Sequence, residues 1–119
     1  MFEQEKLRER TKAFAVRIVK LFRALPRTTD AQILGKQLLR SGTAVAANYR
    51  AACRARSRAE WIAKIGLVVE ETDETVFWLE MLAECSVVRA ELLKALMAEA
   101  QELTAIFTAS HRTAKRAAK

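Results

Sequence analysis

The sequence predicts an all-α protein: one domain over residues 1–119, folded as an antiparallel up-and-down bundle of four helices. Three observations carry this expectation. The 119 residues include only 3 Gly and 1 Pro against an abundance of Ala, Leu, Glu, Lys and Arg, a composition that favours helix. Apolar residues recur at three- and four-residue spacing in four separate stretches. The breaks between those stretches are short, and short turns make successive helices antiparallel neighbours.

The first helix is expected over residues 5–25. Leu7, Phe14, Ile18, Leu21, Phe22 and Leu25 fall on one face, with Lys6, Arg10, Arg17, Lys20 and Arg23 around the rest. Pro26 ends it, because the residue before a proline is pushed out of helical geometry. Thr29 and Gln32 have the spacing of a capping box, so a second helix is expected over residues 30–53. Within it Ser41, Gly42, Ala44, Ala46 and Ala47 keep bulk low beside a face formed by Leu34, Leu38, Val45 and Tyr49. Small residues there let a neighbouring helix approach closely.

A basic turn at residues 54–57 follows. Ser57 and Glu60 repeat the capping-box spacing and start a third helix, expected over residues 58–84. At about 100° per residue, Trp61, Ile65, Val68, Thr72, Val76 and Leu79 gather in one sector, while Leu67, Phe77, Trp78 and Met81 lie opposite, beside Glu70 and Glu74. A small bundle needs one buried side per helix, so the second apolar side calls for a cover. Leu67, Phe77, Trp78 and Met81 are therefore the expected contacts between copies in a homo-oligomer; a groove for a partner protein is the alternative. The fourth helix is expected over residues 90–110, with Leu92, Leu93, Leu96, Leu103, Ile106 and Phe107 as its apolar side. The tail, residues 111–119, lacks apolar periodicity and is expected to fray.

Charge is uneven along the chain. Residues 1–58 hold 14 Lys/Arg against 4 Asp/Glu, a net of +10, and residues 59–119 hold 7 against 10, a net of −3. Packing the acidic third helix beside the second would pair Arg40, Arg50 and Arg54 with Glu70, Asp73 and Glu74. The overall excess of +7 attracts nucleic acid without sequence preference, and Lys6, Arg10 and Arg17 are the candidate phosphate contacts for RNA or DNA. No apolar run approaches the roughly 20 residues that span a bilayer, and the amino terminus has no signal-peptide core. A cytoplasmic protein without a membrane partner is expected. Cys53 and Cys85 end successive helices and would lie about 40 Å apart at about 1.5 Å per residue, too far for a disulfide. They are expected to be packed, reduced thiols.

The sharpest enzymatic pattern is Glu70-Glu71-Thr72-Asp73-Glu74, which resembles the first metal motif of the all-helical nucleoside triphosphate pyrophosphatases. Carboxylates at i and i+4 share a helix face, so Glu70, Glu71 and Glu74 could hold Mg²⁺. Such enzymes add an E-x-x-D pair on the next helix. Here that helix offers Glu91, Glu99 and Glu102 but no Asp. His111 has no carboxylate at di-iron spacing and reads as a solvated side chain, and Ser41 and Ser57 have no histidine base in reach. The expectation is a non-catalytic protein with no cofactor and no small-molecule substrate; a Mg²⁺-dependent nucleotide pyrophosphohydrolase-like bundle is the further alternative.

The central stretch carries a family resemblance. L-L-R-S-G-T-A-V-A-A-N-Y-R-A, then R-x-R-S-x-x-E-W, then E-E-x-D-E-x-x-x-W-L-E resembles the four-helix-bundle proteins encoded in intervening sequences of bacterial 23S rRNA genes. Tyr49-Arg50 stands where members commonly carry Glu-Gly, and Trp61 where they carry Phe or Tyr, which marks a divergent branch. A more distant resemblance is to the accessory proteins of diversity-generating retroelements, basic bundles that work beside a reverse transcriptase. The resemblance implies a ring-like homopentamer that acts as a scaffold or binds nucleic acid or ribonucleoprotein.

Overall fold

Four helices make up the fold in this computed structural model, which describes residues 2–118 and contains no strand among them. They are α1 (Phe2–Ala24), α2 (Thr29–Cys53), α3 (Arg58–Glu84) and α4 (Ala90–Ala118). Each packs against the next in the chain, whereas α1 and α4 meet only sparingly. The result is a bundle of 48 × 22 × 21 Å.

Local chemistry sets three of the boundaries. At the start of α3 the Ser57 hydroxyl accepts the Glu60 amide at 3.1 Å, satisfying one of the orphan donors of the first turn. The Glu60 carboxylate does not reach back; it sits 3.7 Å from the Arg56 guanidinium. At the start of α2 the expected Thr29–Gln32 box does not form. Thr28 is the capping residue and makes no side-chain cap bond, while the Gln32 amide group donates to the Pro26 carbonyl at 2.9 Å. Beyond α3, Ser86 adopts φ 57°, and the Val87 and Ser86 amides donate to the Leu82 and Ala83 carbonyls at 2.9 and 3.1 Å. These two bonds make a Schellman motif with serine at the position that glycine usually fills.

The core runs the length of the bundle. Tyr49, 2% exposed, is buried in it toward the α2–α3 turn, with its ring 5.0 Å from Phe107 of α4 and 6.4 Å from Trp61 of α3. Such tilted and edge-on aromatic pairs add about 0.5–1.5 kcal/mol each beyond burial. The small residues of α2 serve two neighbours. Ser41, fully buried, meets the Thr75 hydroxyl of α3 at 3.0 Å. Gly42 faces α1 so closely that a Cβ there would lie 2.8 Å from Ile18, and one on Gly35 would lie 2.5 Å from Leu25.

The carboxyl-terminal segment departs from expectation. Residues 111–118 continue α4 as regular helix rather than fraying; Lys119 lies outside the described residues. Ala114 is buried, and the half-buried His111 lies over α3, its Nε2 3.2 Å from where a Cβ on Gly66 would stand. His111 is thus a packing residue and not a solvated one. Alanine-rich sequence holds helix well without large apolar side chains.

Candidate functional site

Where α1 and α4 approach, Arg10 joins them. Its guanidinium donates two bonds of 2.7 Å to the two carboxylate oxygens of Glu99, and a second carboxylate, Glu102, lies 2.9 Å away. The pair is mostly shielded, with side-chain exposures of 32% for Arg10 and 20% for Glu99. Bonding to Arg10 holds the Glu99 carboxyl below its usual range, and the two carboxylates raise Arg10 further. Arg10, expected as a phosphate contact, is therefore committed within the bundle. Lys6 and Arg17 remain exposed on the outer side of α1.

The outer seam between α2 and α3 holds the second ion-pair group. Arg40 donates to Glu74 and, at 3.2 Å, to Glu71. The Trp78 indole also donates to Glu74, at 3.2 Å. Arg40, followed by Trp78, lowers the Glu74 carboxyl from its ordinary value. The remaining expected pairs do not form: Glu70 and Asp73 are exposed, and neither they nor Arg50 or Arg54 has an opposite charge within 4 Å among the described residues. Arg50 lies ten residues beyond Arg40, about 80° around the helix, so it turns toward α1 instead of α3.

That arrangement bears on the metal candidates as well. Glu71 and Glu74 converge on a guanidinium, and Glu70 points elsewhere. No three His, Cys, Asp or Glu side chains group as a metal site among the described residues. Ser57 spends its hydroxyl on the α3 cap and Ser41 is sealed in the core, its hydroxyl 3.3 Å from the Leu38 carbonyl. Neither is placed as a nucleophile.

The four expected subunit contacts divide into two kinds. Leu67 and Phe77 are 42% and 48% exposed, large apolar side chains open to solvent on α3. Trp78 and Met81 are half-buried; Trp78 packs on the core and edge-on to Phe77, with ring centres 4.8 Å apart. Of the two cysteines, Cys53 is half-buried and Cys85 is exposed rather than packed; both are free thiols. Burial pushes the neighbouring Tyr49 phenol well above its ordinary range, with Cys53 adding to the effect.

One feature escaped the sequence reading. Between α1 and α2 runs a groove of about 640 Å³, floored by Thr43, Ala46 and Ala47 and rimmed by Arg8, Lys12, Arg50 and Arg54 together with Glu5 and Glu9. Its signal was present as positions 43, 47 and 50 on α2, with Arg54 just past its end, and 5, 9 and 12 on α1. Each set recurs at helical spacing and so lines one side of its helix.

Comparison with known proteins places these surfaces in context. The sequence profile of the 23S rRNA-intervening sequence proteins matches residues 3–109. A crystal structure from Bacteroides thetaiotaomicron, described as a protein of unknown function from the S23 ribosomal protein family, is similar with a TM-score of 0.85. It is 31% identical, and the match covers 92% of this chain and 97% of that one. No curated protein matches the chain. No helix among the described residues is long and apolar enough to cross a membrane.

Proposed function

The chain belongs to the 23S rRNA-intervening sequence protein family, and from that membership we propose a non-catalytic scaffold: antiparallel bundles joined in a ring-like homopentamer that holds nucleic acid on its basic surface. The observation that carries the reading is the pair Leu67 and Phe77, left exposed on a helix whose opposite side already fills the core through Ile65, Val68 and Leu79. A second apolar surface on a small bundle is what self-association would cover. Antiparallel packing is supported by contacts whose numbers run in opposite senses: Gly35 with Leu25 and Gly42 with Ile18, Arg40 with Glu74 and Tyr49 with Trp61.

Nucleic acid is the proposed cargo because the net charge is +7 and because Arg17 has no carboxylate within 4 Å among the described residues. The free thiols of Cys53 and Cys85 suit the reducing cytoplasm, where such a scaffold would work. Binding of a short RNA, followed by fluorescence anisotropy across a salt series, tests the cargo. Affinity should fall steeply with salt, and replacing Lys6 and Arg17 with Gln should weaken binding and reduce the logarithmic slope by about 0.7–0.9 for each phosphate no longer neutralised. No binding at low salt, or binding indifferent to both charges, would leave only the scaffold.

A further inference from the structure

Two unfilled surfaces of the chain match one another. The groove between α1 and α2 has an alanine floor, Ala46 and Ala47, and four cations on its rim, Arg8, Lys12, Arg50 and Arg54, none with a carboxylate within 4 Å among the described residues. The solvent side of α3 is its complement. Leu67, Glu70, Asp73, Phe77 and Glu80 are all exposed there, within an arc of about 140° at 100° per residue. The three carboxylates have no cation within 4 Å among the described residues.

We propose that the α3 surface of one copy lies in the α1/α2 groove of the next. This rests on the self-assembly proposed for the chain and names its interface. A floor of alanines lets a second helix come close, and Leu67 and Phe77 project far enough to fill it. Once seated, they set the carboxylates of α3 at the height of the cationic rim, where desolvation strengthens the pairing and steers the approach.

The groove suits this occupant better than a nucleic-acid backbone. Glu5 and Glu9 stand on the same rim, and a backbone with a charge at every phosphate would run against them; carboxylates spaced by a helical turn need not. The two surfaces are different patches of one chain, so each copy gives one and accepts one. Contacts of that type close into rings or extend as filaments, unlike a two-fold dimer.

The test uses two full-length variants and sedimentation, starting from a wild-type oligomer. A wild type that sediments at 13.4 kDa would end the self-assembly reading by itself, before this interface is at issue. The first variant, Glu70→Lys with Asp73→Lys, turns α3 basic, and the second, Ala47→Trp, blocks the groove. All three positions are exposed, and thermal melting verifies that each monomer is folded, with Ala47→Met as the smaller block if Ala47→Trp unfolds the chain.

Each variant alone should sediment as a monomer of 13.4 kDa. An equal mixture should give a species of about twice that mass and nothing larger, since one intact α3 surface meets one intact groove and the remaining two surfaces are both broken. Either variant keeping the wild-type mass, or a mixture that stays monomeric, would overturn the proposal. So would an Ala47→Trp chain of wild-type mass that has lost RNA binding, since nucleic acid would then be the occupant of the groove.

Discussion

At the scale of single residues, charge placement decides more than charge count. Arg10 and Glu99 form a two-bonded pair that bridges the thinnest seam of the bundle, and a hydrogen bond to a charged partner contributes about 1.5–3 kcal/mol. Arg10→Met should cost an amount in that range at neutral pH, measured by urea unfolding at fixed protein concentration. The pH dependence has a definite sign. Glu99 is held below the ordinary carboxyl value of 4.5, so the pair's contribution is complete above that value and fades as pH falls through the lower folded value. The gap between wild type and Arg10→Met should therefore narrow in acid; a gap constant from pH 7 to pH 3 would contradict this. Ser86 offers the opposite case. Its φ of 57° costs a side chain about 1 kcal/mol that glycine avoids, so Ser86→Gly should raise the melting temperature.

Among the elements, the α1–α2 seam depends on what a glycine leaves out. At Gly42 an added methyl would meet Ile18 carbons at 2.8 and 2.9 Å, and a β-branched side chain on a helix has little freedom to turn away. At Gly35 the nearest atom, at 2.5 Å, is the far end of the flexible Leu25. Gly42→Ala should destabilise by about 1–3 kcal/mol through overpacking, offset by up to about 1 kcal/mol of helix propensity. Gly35→Ala should be milder, and the reverse order in chemical denaturation would refute the packing argument. Deleting residues 111–119 should also lower the unfolding midpoint, because it uncovers the α3 surface beneath His111 and removes the buried Ala114.

The four helices and the α3 start at Ser57 were legible because they rest on chemistry within a few residues. The end of α4 was not, since a search for large apolar residues passes over Ala114. The α2 cap was misread by one residue because Pro26 offers Gln32 a competing carbonyl. Within the candidate site, the approach of Arg40 to Glu74 could be foreseen from opposite charge on successive helices. The capture of Arg10 by Glu99 could not, because it depends on the register of two helices 89 residues apart in sequence.

For the whole molecule, the isolated chain is a finished fold with an unfinished surface. Its described residues leave no fully buried side-chain polar atom without a hydrogen bond, yet Leu67 and Phe77 lie open on α3. The Arg40–Glu74 pair beside them is exposed enough, at 49% and 37%, to be worth about 0–1 kcal/mol in a lone chain. The central claim is that this surface joins copies of the chain, and sedimentation of wild type beside Phe77→Glu at micromolar concentration tests it most directly. The expected result is a wild-type oligomer several times 13.4 kDa and a folded Phe77→Glu chain at 13.4 kDa. A monomeric wild type, or a Phe77→Glu variant that keeps the wild-type mass, would contradict it.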